Sequence, residues 1–303
     1  MPELQLRRPS NSELVISCGA VDLATYVFIP PATRSEAPKP YLHPLRTLSG
    51  APLTGFRPWD HRWHKGLQMT WSHVSGQNFW GGPTFSPETD YQWRDNLGTI
   101  EHDDFAGLSA AQDRISLGET LTWRNSAGER WLSEQRETVF SNVDVQEQSW
   151  QLDFTTELTN ISDRSLELGS PTTHGRPNAG YTGFFWRGPR SWTGCSILGP
   201  DGAEGEAMMG TSAPWIALAG QNDELDGGAT IVALAGTSSS SSSVPLKWFV
   251  RSEPFAALAP SPAFDEEITL APGESLRLQH RYVFVDRICD RDDVERIAKG
   301  ASL

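Results

Sequence analysis

Apolar and polar residues alternate with a period of two along much of this chain. Leu276, Leu278, His280, Tyr282 and Phe284 fall on one side of an extended backbone, with Arg277, Gln279 and Arg281 on the other. Trp150, Leu152, Phe154, Thr156 and Leu158 do the same, opposed by Gln151, Asp153, Thr155 and Glu157. Turn residues punctuate these runs at Asn125–Gly128, Pro200–Gly202 and Pro272–Gly273. Roughly fifteen strand candidates follow, many at the short spacing of β-sandwiches. Only the C-terminus reads as a helix: Asp290 caps it, Asp292, Asp293 and Glu295 suit its positive end, and Gly300 closes it. No strand–helix–strand alternation appears. The pattern predicts an all-β fold, a large two-sheet antiparallel β-sandwich with a short C-terminal helix, forming one domain over residues 1–303. The serines at 238–243 read as a flexible surface loop within that domain.

Composition narrows the partners. The chain has 303 residues and no apolar run of about 18, so no membrane-spanning helix is expected. Its 38 acids outnumber 25 bases, giving a net charge of −13. Such a surface repels nucleic acid and anionic membranes. Cys18, Cys195 and Cys289 are odd in number and far apart, which is no disulfide framework. The stretch MPELQLRRPSNSELVI lacks the apolar core of a signal peptide, and a cytoplasmic location is the expectation. Oligomeric state is not legible.

Candidate chemistry concentrates in residues 57–82, RPWDHRWHKGLQMTWSHVSGQNFWGG. Three of the seven histidines (His61, His64, His73) fall there with Asp60, Lys65 and four of the twelve tryptophans. That mixture suits a site that holds a polar ligand against aromatic faces and moves protons near neutral pH. On a strand, His61 and His64 would point to opposite faces; in the loop suggested by Gly55, Pro58 and Gly66 they can converge. One imidazole then serves as acid or base while the other holds an oxygen, and Asp60 can orient a ring. Lys65 is a candidate ligand contact. Trp63 and Trp80 can form an apolar platform, although most tryptophans in so rich a chain belong to the core.

Residues 172–192, TTHGRPNAGYTGFFWRGPRSW, repeat the formula and are expected to face the first segment across one cleft. His174 is a third catalytic candidate. Arg176, Asn178 and Arg187 are substrate-binding candidates, the arginines offering planar forks for a carboxylate or paired hydroxyls. His73 and His280 read as satisfied core histidines. Glu101 with His102 can complete the cleft, and Glu134 or Glu137 can supply a base; spacing does not choose. H-x-x-H without a carboxylate ligand motif is weak evidence for a metal, and none is assigned. Phosphate-binding loops, G-x-S-x-G elbows and C-x-x-C pairs are missing, so no cofactor is expected.

The stretches HPLRTLSGAPLT (43–54), DHRWHKG (60–66), VSGQNFWGG (74–82), THGRPNAGYTGFFWRGPRSW (173–192) and LAPGESLRLQHRYVFVD (270–286) resemble the soluble proteins called methane-oxygenase-PmoA-like. The family's first motif reads D-H-P-H-H-R-G; here Arg62, Trp63 and His64 replace its centre, leaving His61 and His64 and losing one histidine. The resemblance implies a sandwich of the galactose-mutarotase-like superfold, whose members bind sugars on a sheet and move protons with histidine and a carboxylate. The family's name implies a membrane oxygenase, which the sequence contradicts.

The expected function is acid–base chemistry, an epimerisation or elimination, on a sugar or oxidised sugar. His61, His64 and His174 would move protons, and Asp60, Lys65, Trp80, Arg176, Asn178 and Arg187 would hold the substrate. Two rivals stay open: a carbohydrate-binding or sensing module without catalysis, and a metal-dependent lyase or hydrolase.

Overall fold

Alternating positions become two-faced strands, and two-faced strands need a second layer to bury one face. The computed structural model, which describes residues 3–223, 225–239 and 246–303, contains 21 strands in these segments. Sixteen of them form two eight-stranded antiparallel sheets. The first sheet runs, in spatial order, Leu4–Arg7, Glu13–Cys18, Val21–Val27, Tyr41–Leu45, Leu67–Trp71, Thr182–Arg187, Ala257–Ser261 and Lys247–Arg251. The second runs Ser196–Leu198, Trp215–Gln221, Gly228–Ser239, Ser275–Val285, Ser149–Asn160, Arg130–Asp144, Arg114–Arg124 and Thr99–Ala110. The all-β, two-sheet expectation holds.

The two alternations read from the sequence meet at the centre of the second sheet. Strand Ser149–Asn160 pairs with Ser275–Val285 so that Phe154 lies opposite His280 and Leu152 opposite Tyr282. These residues face the first sheet, where the Phe184 ring stacks on Phe154 with centroids 3.8 Å apart. His280 departs from expectation. It is fully buried beside the stacked Phe154 and Phe184 rings, but neither ring nitrogen has a partner. Burial drives its pKa down to about 3.

Outside this core lie two further layers. Arg291–Gly300 forms the C-terminal helix, capped by Asp290 accepting from the Asp293 amide at 2.9 Å. Val294 and Ala298 cover Val232, Leu234, Val283 and Val285 on the outer face of the second sheet. Gly300 is the last helical residue, and Ala301 closes the helix. The first sheet's outer face is covered instead by loops, and there the cleft opens. Of the serine run, Ser238 and Ser239 end the strand Gly228–Ser239; the rest lies outside the described residues.

Candidate functional site

Strand alternation puts apolar and charged residues on the first sheet's outer face. In Thr182–Arg187, Phe184 and Trp186 join the inter-sheet core, while Phe185 and Arg187 point away from it. In Lys247–Arg251, Trp248 and Val250 point inward, so Phe249 and Arg251 point outward. Trp80, Phe185 and Phe249 form a separate apolar cluster there, flanked by Trp63, Tyr181 and Phe255. Above it opens a cavity of about 440 Å³, within the usual range for small-molecule sites. Its lining includes Asp60, His61, Trp63, His64, Trp80, Arg176 and Arg251.

Residues 58–64 wind through two successive turns, the His61 amide donating to the Pro58 carbonyl and the His64 amide to the His61 carbonyl, both at 2.9 Å. This winding overrides strand alternation and brings the imidazoles onto one side, with ring centroids 4.8 Å apart. Gly81 and Gly82 make room for the neighbouring wall. Both have positive φ, and a Cβ on either would fall 2.6–2.7 Å from Trp63 atoms. Lys39 fixes the Trp80 backbone from behind, its ammonium donating to the Glu36, Ala37 and Trp80 carbonyls at 3.1, 2.7 and 3.0 Å.

The two imidazoles sit in different fields. His64 is buried, and the Arg187 guanidinium points at its Nδ1 from 3.3 Å. Arginine can only donate, so Nδ1 is the acceptor and the ring proton resides on Nε2. Desolvation, reinforced by His61, Arg187 and Lys39, holds the His64 pKa well below its ordinary value. His61 is partly exposed, and Asp60 Oδ2 lies 3.2 Å from its Nδ1 without hydrogen-bond alignment. The nearby negative charge favours the proton on Nδ1, leaving a lone pair on Nε2. Burial lowers the His61 pKa and Asp60 partly restores it. Near neutral pH the rings are both uncharged, one presenting a base and the other a donor.

Arg187 is itself buried, its guanidinium carbon 3.6 Å over the Phe255 ring. Burial lowers its pKa to about 10, and its Nε has no partner. Across the cleft, Arg176 stacks on Tyr91 and donates to its hydroxyl at 2.5 Å; that hydroxyl lies 2.7 Å from Tyr181 Oη.

Of the residues singled out from sequence, Asp60, His61, His64, Trp80 and Arg176 line the cleft, with Arg187 directly beneath. Lys65 does not: it is buried and bonded to Glu36 Oε2 at 2.9 Å, beside the Arg57–Glu36 pair. An ammonium next to strand Leu67–Trp71 needs that counter-ion, which removes it from any ligand. His174 also lies elsewhere, because Gly175 and the turn at Ser170 direct it onto the His73 ring. The His174–His73 centroids are 4.2 Å apart, and His174 Nδ1 donates to the Ser170 carbonyl at 3.0 Å. His73 is buried as expected, but its Nδ1 is unpartnered. Asn178 is exposed in a left-handed turn and offers only its carbonyl, 3.4 Å from Arg251. His102 bonds Glu119 at 2.6 Å, Glu101 pairs with Arg124, Glu134 pairs with Arg136, and Glu137 is exposed, so none joins the cleft. Sequence reasoning missed Arg251, Tyr181, Phe185 and Phe255. The alternation Lys247, Phe249, Arg251 was a usable signal for the first; Tyr91 carries none. Among the described residues no three His, Cys, Asp or Glu side chains have the geometry of a metal site.

Fold and site together define a two-sheet β-sandwich protein with an aromatic, arginine-rich cleft on one outer sheet face. The chain belongs to the family described as DUF6807, a family of unknown function, whose model matches residues 13–299. That family, and not the methane-oxygenase-PmoA-like one that the motifs resemble, is what the comparison returns. No curated protein matches the sequence. Solved structures with a similar fold include a putative aldose 1-epimerase from Klebsiella pneumoniae, with TM-score 0.42, 9% identity, and 98% and 86% of the two chains covered. A galactose 1-epimerase from Lactobacillus acidophilus gives 0.37, 9%, 94% and 99%. A GH36 alpha-galactosidase from Geobacillus stearothermophilus, in complex with raffinose, gives 0.40 and 14%; 87% of this chain aligns to only 39% of that enzyme. At such low likeness these proteins' activities do not transfer to this chain. Among the described residues, no helix is long and apolar enough to cross a membrane.

Proposed function

We propose that the cleft binds a sugar and catalyses proton transfer on it. The observation that carries this reading is the pair of imidazoles, His61 and His64, with ring centroids 4.8 Å apart in the wall of an aromatic cleft. A sugar ring has apolar C–H faces and a polar edge; Trp63, Trp80, Tyr181 and Phe255 match the faces, and Arg176, Arg251 and Asp60 match the edge. His61 Nε2 accepts a proton from carbon or hydroxyl, with Asp60 stabilising the imidazolium that forms. His64 Nε2–H donates to the oxygen on which charge develops. A neutral imidazole is a competent donor of this kind, as in triosephosphate isomerase. Arg187 occupies the other His64 nitrogen and adds to burial in keeping the ring from taking up a proton.

Incubation with sugars in heavy water, followed by NMR, tests the reading through exchange of a carbon-bound proton or formation of a new isomer. His61→Ala is expected to lower turnover by about 10²-fold or more. Unchanged turnover removes His61 from the chemistry. Tight binding of a sugar with no exchange at any carbon would make the protein a binding module instead.

A further inference from the structure

Resting on the sugar-binding reading above, we infer that the cleft selects a ligand bearing a carboxylate, a sugar acid in preference to the matched neutral sugar. The protein carries a net charge of −13, yet its cleft concentrates the opposite sign. Arg176 and Arg251 line it and Arg187 lies beneath, against Asp60 as the one acid in the lining.

Buried Arg187 and half-buried Arg176 and Arg251 differ from the cations of the core in how they are satisfied. Arg136 has Glu134 at 2.7 Å, Lys65 has Glu36 at 2.9 Å, and Lys39 donates to three carbonyls. Among the described residues, no carboxylate comes within 4.0 Å of Arg176, Arg187 or Arg251. Arg176 makes one bond to a neutral hydroxyl, Arg251 one long contact to the Asn178 carbonyl at 3.4 Å, and Arg187 one bond to a neutral imidazole. Arg187 is only 4% exposed, and its Nε is unpartnered. Taking the Arg187 guanidinium out of water with no carboxylate in bonding distance is costly, and an anion entering the cleft offsets that cost. The Tyr91 ring already holds the Arg176 fork in place, so ordering it on a carboxylate costs little further entropy. A neutral sugar fills the same aromatic space but leaves the excess of arginine charge over the single Asp60 carboxylate uncompensated.

Calorimetric titration of the full chain with hexuronates and aldonates, their neutral parent sugars, and non-sugar hydroxy acids such as tartrate tests the inference. Sugar acids are expected to bind at least about tenfold tighter than the matched neutral sugars, in keeping with charge-assisted hydrogen bonds. That preference should shrink as sodium chloride is raised. Arg176→Gln and Arg251→Gln should each narrow the acid-to-neutral ratio by about tenfold. Equal affinity for acid and neutral sugar overturns the charge selection and leaves the sugar reading standing. Hydroxy acids binding as tightly as sugar acids would sink the sugar reading and keep the selection for an anion. If no member of the panel binds, both fall.

Discussion

Two clusters of buried charge in this molecule are built by opposite rules. Between the sheets, Tyr26, Glu119, His102, Arg136, Glu134, Trp123 and Thr156 form a closed network. Glu134 accepts from Arg136, from Trp123 Nε1 at 2.7 Å and from Thr156 Oγ1 at 2.8 Å. Glu119 accepts from the Tyr26 hydroxyl and faces His102, while Arg136 also reaches Tyr26 and lies over the Phe154 ring. In the outer cleft, His61, His64 and Arg187 are buried or half-buried with bonds left open. Low dielectric strengthens every satisfied bond in the first cluster and raises the cost of every open one in the second. Complete pairing serves the fold. Incomplete pairing leaves valences that a ligand can fill.

The largest effect should come from opening the closed cluster. Glu134→Ala strands the Arg136 guanidinium in the core and should cost about 3–5 kcal/mol of stability in urea unfolding. Glu134→Leu combined with Arg136→Met should recover most of that loss, since a buried pair is often replaceable by apolar residues of similar volume. A single Glu134 variant of wild-type stability would mean that the network is not what binds these strands.

A pH-dependent effect isolates His280, a core histidine with neither ring nitrogen bonded. The folded pKa of His280 is about 3 against an ordinary 6.5, because burial disfavours the cation. Above pH 6.5 both states are neutral and the term vanishes. Below it the unfolded chain takes up the proton first, so stability falls through the window from 6.5 towards 3, by about 1.4 kcal/mol per pH unit for this one group. His43 and His73, pushed down to about 4, add to the slope with the same sign. His280→Leu should lessen the acid slope by close to one proton and raise stability at neutral pH, as two unpartnered nitrogens leave the core. An undiminished slope would assign the acid sensitivity to the other histidines.

The sheets were legible because period-two patterning is a local property. Leu276–Phe284 and Trp150–Leu158 carry it without help from distant residues, and the Asp290 cap is equally local. Half of the cleft was legible because Asp60, His61 and His64 share one loop whose turn residues are visible in the chain. What failed was pairing over long distances. Nothing near Lys65 shows that Glu36, 29 residues upstream, will claim its charge. Likewise His102 looks like a free catalytic group until strand pairing brings it Glu119, whereas Arg136, the partner of Glu134, stands only two residues along its own strand and was a legible signal. His174 sits in a segment whose neighbours Arg176, Tyr181, Phe185 and Arg187 do reach the cleft or its floor. The turn at Ser170–Gly175 aims it away, and composition cannot show where a turn aims.

The smallest stability effect is expected at Arg187, and it tests the comparison most directly. Arg187→Met keeps an unbranched stem against Phe255 and removes the charge. No carboxylate is orphaned, so stability should change by less than about 1 kcal/mol or rise, unlike the loss from opening the Arg136 network. The His64 ring should respond instead. Without a guanidinium at Nδ1, one cause of its depressed pKa disappears, and NMR titration should show the His64 pKa moving upward. Binding of a sugar acid should weaken in the same variant. If Arg187→Met costs as much stability as Glu134→Ala, the arginine beneath the cleft is a fold element like Arg136. The open bonds around it would then be packing irregularities, and the contrast between the two clusters would lose its meaning.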